Sequence, residues 1–75
     1  MEANQVIDTR GLNCPLPILR TKKTLVALQS GDTLKVMASD PGSLKDMAAF
    51  CNQTGNQLLS SQQADGNFEF LIRKT

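Results

Sequence analysis

Two stretches of this chain carry apolar residues at three- and four-residue spacing, and they alternate with stretches spaced by two. That change of period restricts the fold more than any single motif. One face of a helix repeats every 3.6 residues, and one face of a strand every second residue. Gln5-Val6-Ile7-Asp8 reads as a short first strand. Thr9-Arg10-Gly11-Leu12-Asn13 reads as a loop. A helix is predicted from about Pro15 to Leu28, capped by Asn13 or Cys14, with Pro15 at its first position and Pro17 in its first turn. Ile18, Thr21, Leu25 and Leu28 mark its inner face, with Leu19 widening it, and Gly31 follows as a stop. Thr33 to Ala38 alternates as a strand, with Leu34, Val36 and Ala38 on one side.

Asp40-Pro41 opens a second predicted helix, with Asp40 as its cap and Ser43 with Asp46 resembling a capping box. Its stripe is Leu44, Met47, Ala48 and Cys51, and Gly55 ends it. Leu58 to Gln63 is a weak strand by composition. Asp65-Gly66 is a hairpin signal before the last strand, Phe68 to Arg73, in which Phe68, Phe70 and Ile72 face one way. No repeat, linker or low-complexity stretch interrupts this order. Two helical stripes and four strands are buried together if both helices cover one face of one mixed sheet. The expectation is an α+β, two-layer α/β sandwich of βαβαββ order, one domain over residues 1–75. A chain of 75 residues buries a lower fraction of its surface than a longer one does. Its chemistry should therefore sit near the surface, without a deep cavity.

Composition excludes several function classes. Histidine is absent, so Cys-His pairs, Ser-His triads and histidine-containing metal sites are ruled out. Two cysteines are too few for a disulfide scaffold and make a poor zinc site. Neither a metal nor a cofactor is expected. The net charge of +1 gives no global field toward nucleic acid or membrane. No apolar run reaches the roughly 18 residues of a membrane span. The polar start, Met1 to Gln5, lacks the regions of a signal peptide, and cytoplasmic residence is the expectation.

Cys14 is the candidate reactive group. It stands where the first helix begins, and helix N-termini stabilise thiolates through unpaired amides and partial positive charge. From Thr9 to Gly31 the charged residues are Arg10, Arg20, Lys22 and Lys23, all basic. The two prolines stiffen the helix start but lack N–H groups, so the expected fall in thiol pKa is partial. The blander reading is a small buried cysteine in a turn. Cys51 completes an apolar stripe and reads as core. Arg20, Lys22 and Lys23 are either a solvated outer face or a docking surface for an acidic protein or an RNA, and Arg10 is a further candidate partner contact. Asp8 and Arg10 flank the loop, and two roles are open to them: pairing with each other or shaping the loop. No histidine or obvious carboxylate pair is available near Cys14 as a general acid or base. A lone activated thiol suits passing a group between proteins.

The run Asp8-Thr9-Arg10-Gly11-Leu12-Asn13-Cys14-Pro15-Leu16-Pro17 resembles the signature of the TusA/SirA-like family of small sulfur carriers, Asp-x-x-Gly-x-x-Cys-Pro-x-Pro. The likeness runs from Asp8 to Lys74. Asp40-Pro41, Phe50-Cys51 and Leu71-Ile72-Arg73-Lys74 look like the TusA branch. The resemblance implies a βαβαββ sandwich whose Cys14 accepts sulfane sulfur as a persulfide, supported by Pro15 and Pro17 and by the motif's Gly11 and Asp8. It implies a cysteine desulfurase as donor and a downstream relay protein as acceptor. The protein would be a monomer that makes transient complexes, a carrier rather than an autonomous enzyme. The best-known route in the family leads to tRNA 2-thiouridine, and relatives serve molybdenum-cofactor biosynthesis. Ser39 departs from the pattern, since a second acid commonly precedes Asp-Pro, and this bears on partner identity. The competing classes are an RNA-binding module and a thiol-redox switch pairing Cys14 with Cys51.

Overall fold

The alternation of Leu34, Val36 and Ala38 sets the centre of the fold, and all three are fully buried. The computed structural model describes residues 3–13 and 15–75. Six elements follow in the predicted order: β1 (Gln5–Thr9), α1 (Leu16–Ala27), β2 (Thr33–Ala38), α2 (Ser43–Thr54), β3 (Gln57–Ala64) and β4 (Asn67–Arg73). The strands lie in the order β1-β2-β4-β3. β1 runs parallel to β2 with Ile7 opposite Val36, and β2 runs antiparallel to β4 with Val36 opposite Phe70. β3 returns antiparallel to β4. The sheet is therefore mixed.

Leu25 of α1 and Met47, Phe50 and Cys51 of α2 join the buried side chains of β2 and β4 in one cluster. Both helices thus cover one face, which makes the molecule a two-layer sandwich. The uncovered face is polar enough to meet water, with Lys35 Nζ 3.0 Å from a Glu69 carboxylate oxygen. Asp65 and Gly66 both take positive φ, 53° and 77°. That is the type I′ geometry whose twist matches an antiparallel hairpin. The turn brings Ala64 opposite Asn67 and so sets the β3–β4 register.

Several local expectations are corrected. Pro15 is the residue flanking α1, and no described side chain caps the helix, so Asn13 does not fill that role; the other candidate, Cys14, lies outside the described residues. The chain instead enters through a turn in which Leu16 N–H donates to Asn13 O at 2.8 Å. Leu19 is exposed and does not widen the inner face; Pro17, Thr21 and Leu25 are buried there, and Ile18 and Leu28 pack against the core as expected. α2 starts at Ser43 after Gly42, so Ser43 cannot act as a capping-box residue. Asp40 acts one step earlier, where its Oδ1 accepts from Gly42 N–H at 3.1 Å. The buried face of α2 is Ser43, Met47, Phe50 and Cys51, while Leu44 and Ala48 are exposed. The two stripes differ by a small rotation, and it puts the Phe50 ring inside in place of Leu44.

Candidate functional site

Cys14 lies outside the described residues, so the site is built from the frame that holds it. β1 ends at Thr9, whose side chain is buried and whose hydroxyl donates to Met37 O. This fixes the end of β1 against β2. The chain then turns, with Leu12 N–H donating to Thr9 O at 3.2 Å. Gly11 sits in this turn at φ +86°, a conformation in which a side chain would be strained. Its N–H donates to Ser39 Oγ at 2.8 Å. Ser39 follows β2 directly, so the hydroxyl ties the loop before Cys14 to the far end of the neighbouring strand. Sequence reading marked Ser39 only as a departure from a pattern. Its partner is 28 residues away, and spacing carries no signal of that.

Asp8 and Arg10 fill both roles left open for them. The Arg10 guanidinium donates to Asp8 through Nε at 2.9 Å and Nη2 at 2.8 Å, and the Arg10 backbone N–H donates to Asp8 Oδ1 at 3.0 Å. The hydrogen bonds from the Arg10 side chain and backbone lower the Asp8 pKa to about 2. The same pairing raises that of Arg10. The carboxylate thus holds the first step of the loop and neutralises the nearest cation. Because the folded-state pKa lies below the ordinary carboxylate value of ~3.9, the pair is complete above that value. Its contribution is lost as pH falls through about 2. A carbon-detected NMR titration should give an Asp8 midpoint of about 2, and in Arg10→Ala it should move up toward ~3.9. An unmoved midpoint would contradict the pairing.

After Cys14, two of the first amides of α1 are missing because Pro15 and Pro17 have none, and Leu16 has already donated to Asn13. The helix start therefore offers an anion fewer backbone donors than an ordinary one, and what it can lend rests more on the peptide dipoles. Pro15 is exposed, while Pro17 is buried and anchors the helix start to the core. Beside Pro15 runs an open groove of about 280 Å³ that Ile18, Ala49 and Phe50 also line. A partner surface can approach there without any deep pocket.

Arg20, Lys22 and Lys23 are all exposed, but the helix does not present them together. Arg20 and Lys23 line a cleft of about 480 Å³ between α1 and β1, with Ile7, Asp8, Thr9 and Thr24. Lys22 lies on the other side of α1, along a groove shared with Phe50, Thr54 and Lys74. Cys51 is buried at 3% exposure, and burial pushes its thiol pKa up. Among the described residues, no cluster of three or more acidic, cysteine or histidine side chains is placed to hold a metal ion. No described helix is long and apolar enough to cross a membrane.

Comparison with known proteins places this arrangement. Residues 5–74 match the family described as sulfurtransferase TusA. The sulfur carrier protein TusA of Allochromatium vinosum is 58% identical over 96% of this chain and 95% of its own length. The TusA of a Pseudomonas putida strain is 42% identical, covering 92% of this chain and 86% of the relative. A SirA-like protein from Desulfitobacterium hafniense, known from its crystal structure, superposes with a TM-score of 0.83 at 28% identity. That alignment covers 92% of this chain and 95% of the other.

Proposed function

The chain belongs to the TusA family of sulfur carriers, and from that premise we propose that Cys14 takes up sulfane sulfur as a persulfide and hands it to an acceptor protein. The observation that carries this reading is the family match over residues 5–74, which includes the whole Cys-Pro-x-Pro run of this chain. The donor is a cysteine desulfurase. The Cys14 thiolate attacks the outer sulfur of the donor's persulfide. The donor S–S bond breaks, its electron pair leaves on the donor thiolate, and a new S–S bond forms on Cys14. The sulfur moves at constant oxidation state, so the step needs no oxidant, and it follows the logic of thiol–disulfide exchange. No base is required once the thiol is ionised. Release to the acceptor repeats the step with Cys14 as donor.

Asp8, Gly11, Pro15 and Pro17 set the loop and helix tip that carry the thiol. Arg10, Arg20, Lys22 and Lys23 serve partner binding, with Arg10 acting through its pair with Asp8. The protein works in the cytoplasm as a monomer in transient complexes, and its sulfur goes toward tRNA 2-thiouridine or another sulfur-transfer route such as molybdenum-cofactor biosynthesis. An RNA-binding role is disfavoured because the three aromatic side chains, Phe50, Phe68 and Phe70, are buried and none can stack on a base. A Cys14–Cys51 switch is disfavoured because Cys51 is a free thiol within the core.

The test is loading. The protein is incubated with a cysteine desulfurase and cysteine, then weighed intact. A gain of one sulfur atom, removed by a reductant, is expected. No adduct with any of a panel of desulfurases would overturn the reading.

A further inference from the structure

β1 is an edge strand with β2 as its one neighbour. The phase of its backbone follows from three contacts. Thr33 N–H donates to Asn4 Oδ1 at 2.9 Å, and Thr33 O accepts from Asn4 N–H at 3.0 Å. Met37 O accepts from the Thr9 hydroxyl. The odd-numbered residues of β2 therefore turn their peptide groups toward β1. Lys35 and Met37 lie opposite Val6 and Asp8, and in a parallel ladder a residue bonds the two that flank its opposite number, so their bonds go to Gln5, Ile7 and Thr9. Strand alternation then leaves the N–H and C=O of Val6 and Asp8 pointing out of the sheet.

This open edge has a charged wall. The cleft between β1 and α1 is lined on the helix side by Arg20, Lys23 and Thr24. Asp8, the acid on the strand side, is already bound by Arg10, so among the described residues Arg20 and Lys23 of the cleft have no acid within ion-pair distance. The strand leads toward the reactive cysteine, with four residues between Thr9 and Cys14. The other sheet edge differs in each respect. β3 is broken by a bulge between Leu58 and Ser60, an irregularity that discourages added strands, and it carries no basic residue.

We propose that the free edge of β1, walled by Arg20 and Lys23, receives an extended acidic segment of a partner protein as an added strand running to the Cys14 loop. Main-chain bonds from Val6 and Asp8 hold the segment. Every second side chain of an added strand faces the helix side, so the recognised pattern is an acid at alternate positions. The use of this surface in sulfur transfer rests on the carrier reading above, whereas binding of the segment does not.

The probe is an acetylated octapeptide of alternating threonine and glutamate, titrated into the full chain at low salt and followed by amide hydrogen exchange. The amides of Val6 and Asp8 should slow by about tenfold or more at saturation, as expected for amides newly paired in a ladder. The double variant R20E/K23E should bind about tenfold more weakly, through lost charge complementarity. N-methylation of the peptide on its pairing side should abolish protection, as should Val6→Pro, which removes an outward donor and spares the β2 ladder. Affinity unchanged by N-methylation, or protection confined to β3 or α2, would overturn the proposal. Preference for a uridine octanucleotide over the peptide would also overturn it, by making the cations a phosphate site. No sulfur enters this experiment, so its failure leaves the loading result untouched and failed loading leaves the peptide result untouched.

Discussion

Replacing Cys14 with serine is expected to abolish sulfur loading completely, while Cys51→Ala loads as the wild type does. A serine hydroxyl does not ionise near neutral pH and cannot hold a sulfane sulfur, so no residual transfer should remain at position 14. Cys51 cannot substitute. It is buried to 3% exposure beside Met47 and Phe50, and desolvation keeps its thiol protonated. To meet a donor's persulfide it would have to wait for the core to open. Alanine is the replacement used there, because it adds no polar group to this apolar cluster. Intact-mass measurement after incubation with desulfurase and cysteine reads both variants at once. Sulfur found on Cys51 in the Cys14→Ser protein would reverse the assignment of roles.

The parts of this fold that sequence reveals are those in which a local pattern and the tertiary environment agree. Leu34, Val36 and Ala38, and Phe68, Phe70 and Ile72, alternate strictly because each strand has one face in the core, and all six are buried. β3 is the opposite case. Gln57 to Ala64 is mostly polar and lies on the sheet edge; Leu58 packs against the core, and the Asp65-Gly66 turn sets the register of the rest. In α2, the apolar template fits Leu44, Met47, Ala48 and Cys51 almost as well as the observed Ser43, Met47, Phe50 and Cys51. The choice between them depends on which large side chain the space against α1 accepts, and one helix cannot announce that alone. Phe50 takes the space, and Leu44 turns to solvent.

The site divides along the same line. The Asp-x-x-Gly-x-x-Cys-Pro-x-Pro run is contiguous and was legible. The Asp8–Arg10 pair spans two residues, and both roles open to it proved real. The tie from Gly11 to Ser39 joins segments 28 residues apart and could emerge only from the β1–β2 pairing. The separation of Arg20 and Lys23 from Lys22 is a matter of helical angle. The basic cluster that looked single in the sequence serves two surfaces, and the one beside β1 also has open backbone groups to offer.

Phe70→Ala should come close to unfolding the protein. Phe70 is 1% exposed on β4 and stands opposite both Val36 of β2 and Ser61 of β3. It thus fills the middle of the sheet's covered face. Truncating a buried phenylalanine costs about 3–5 kcal/mol, part lost transfer energy and part unfilled cavity. A chain of this length is expected to have a total stability of roughly 4–11 kcal/mol. The loss is therefore a large share of the whole, and the thermal midpoint should drop by on the order of 12–40 °C. Val6→Ala is the matched control. Val6 lies on a strand of the same sheet but is 52% exposed, and its loss should cost no more than about 0.5 kcal/mol. Calorimetry or circular-dichroism melts of the two variants decide the matter. A Phe70→Ala midpoint within a few degrees of the control would mean that the helices do not rest on this strand, and the positioning of the Cys14 loop by β1 and β2 would need another explanation.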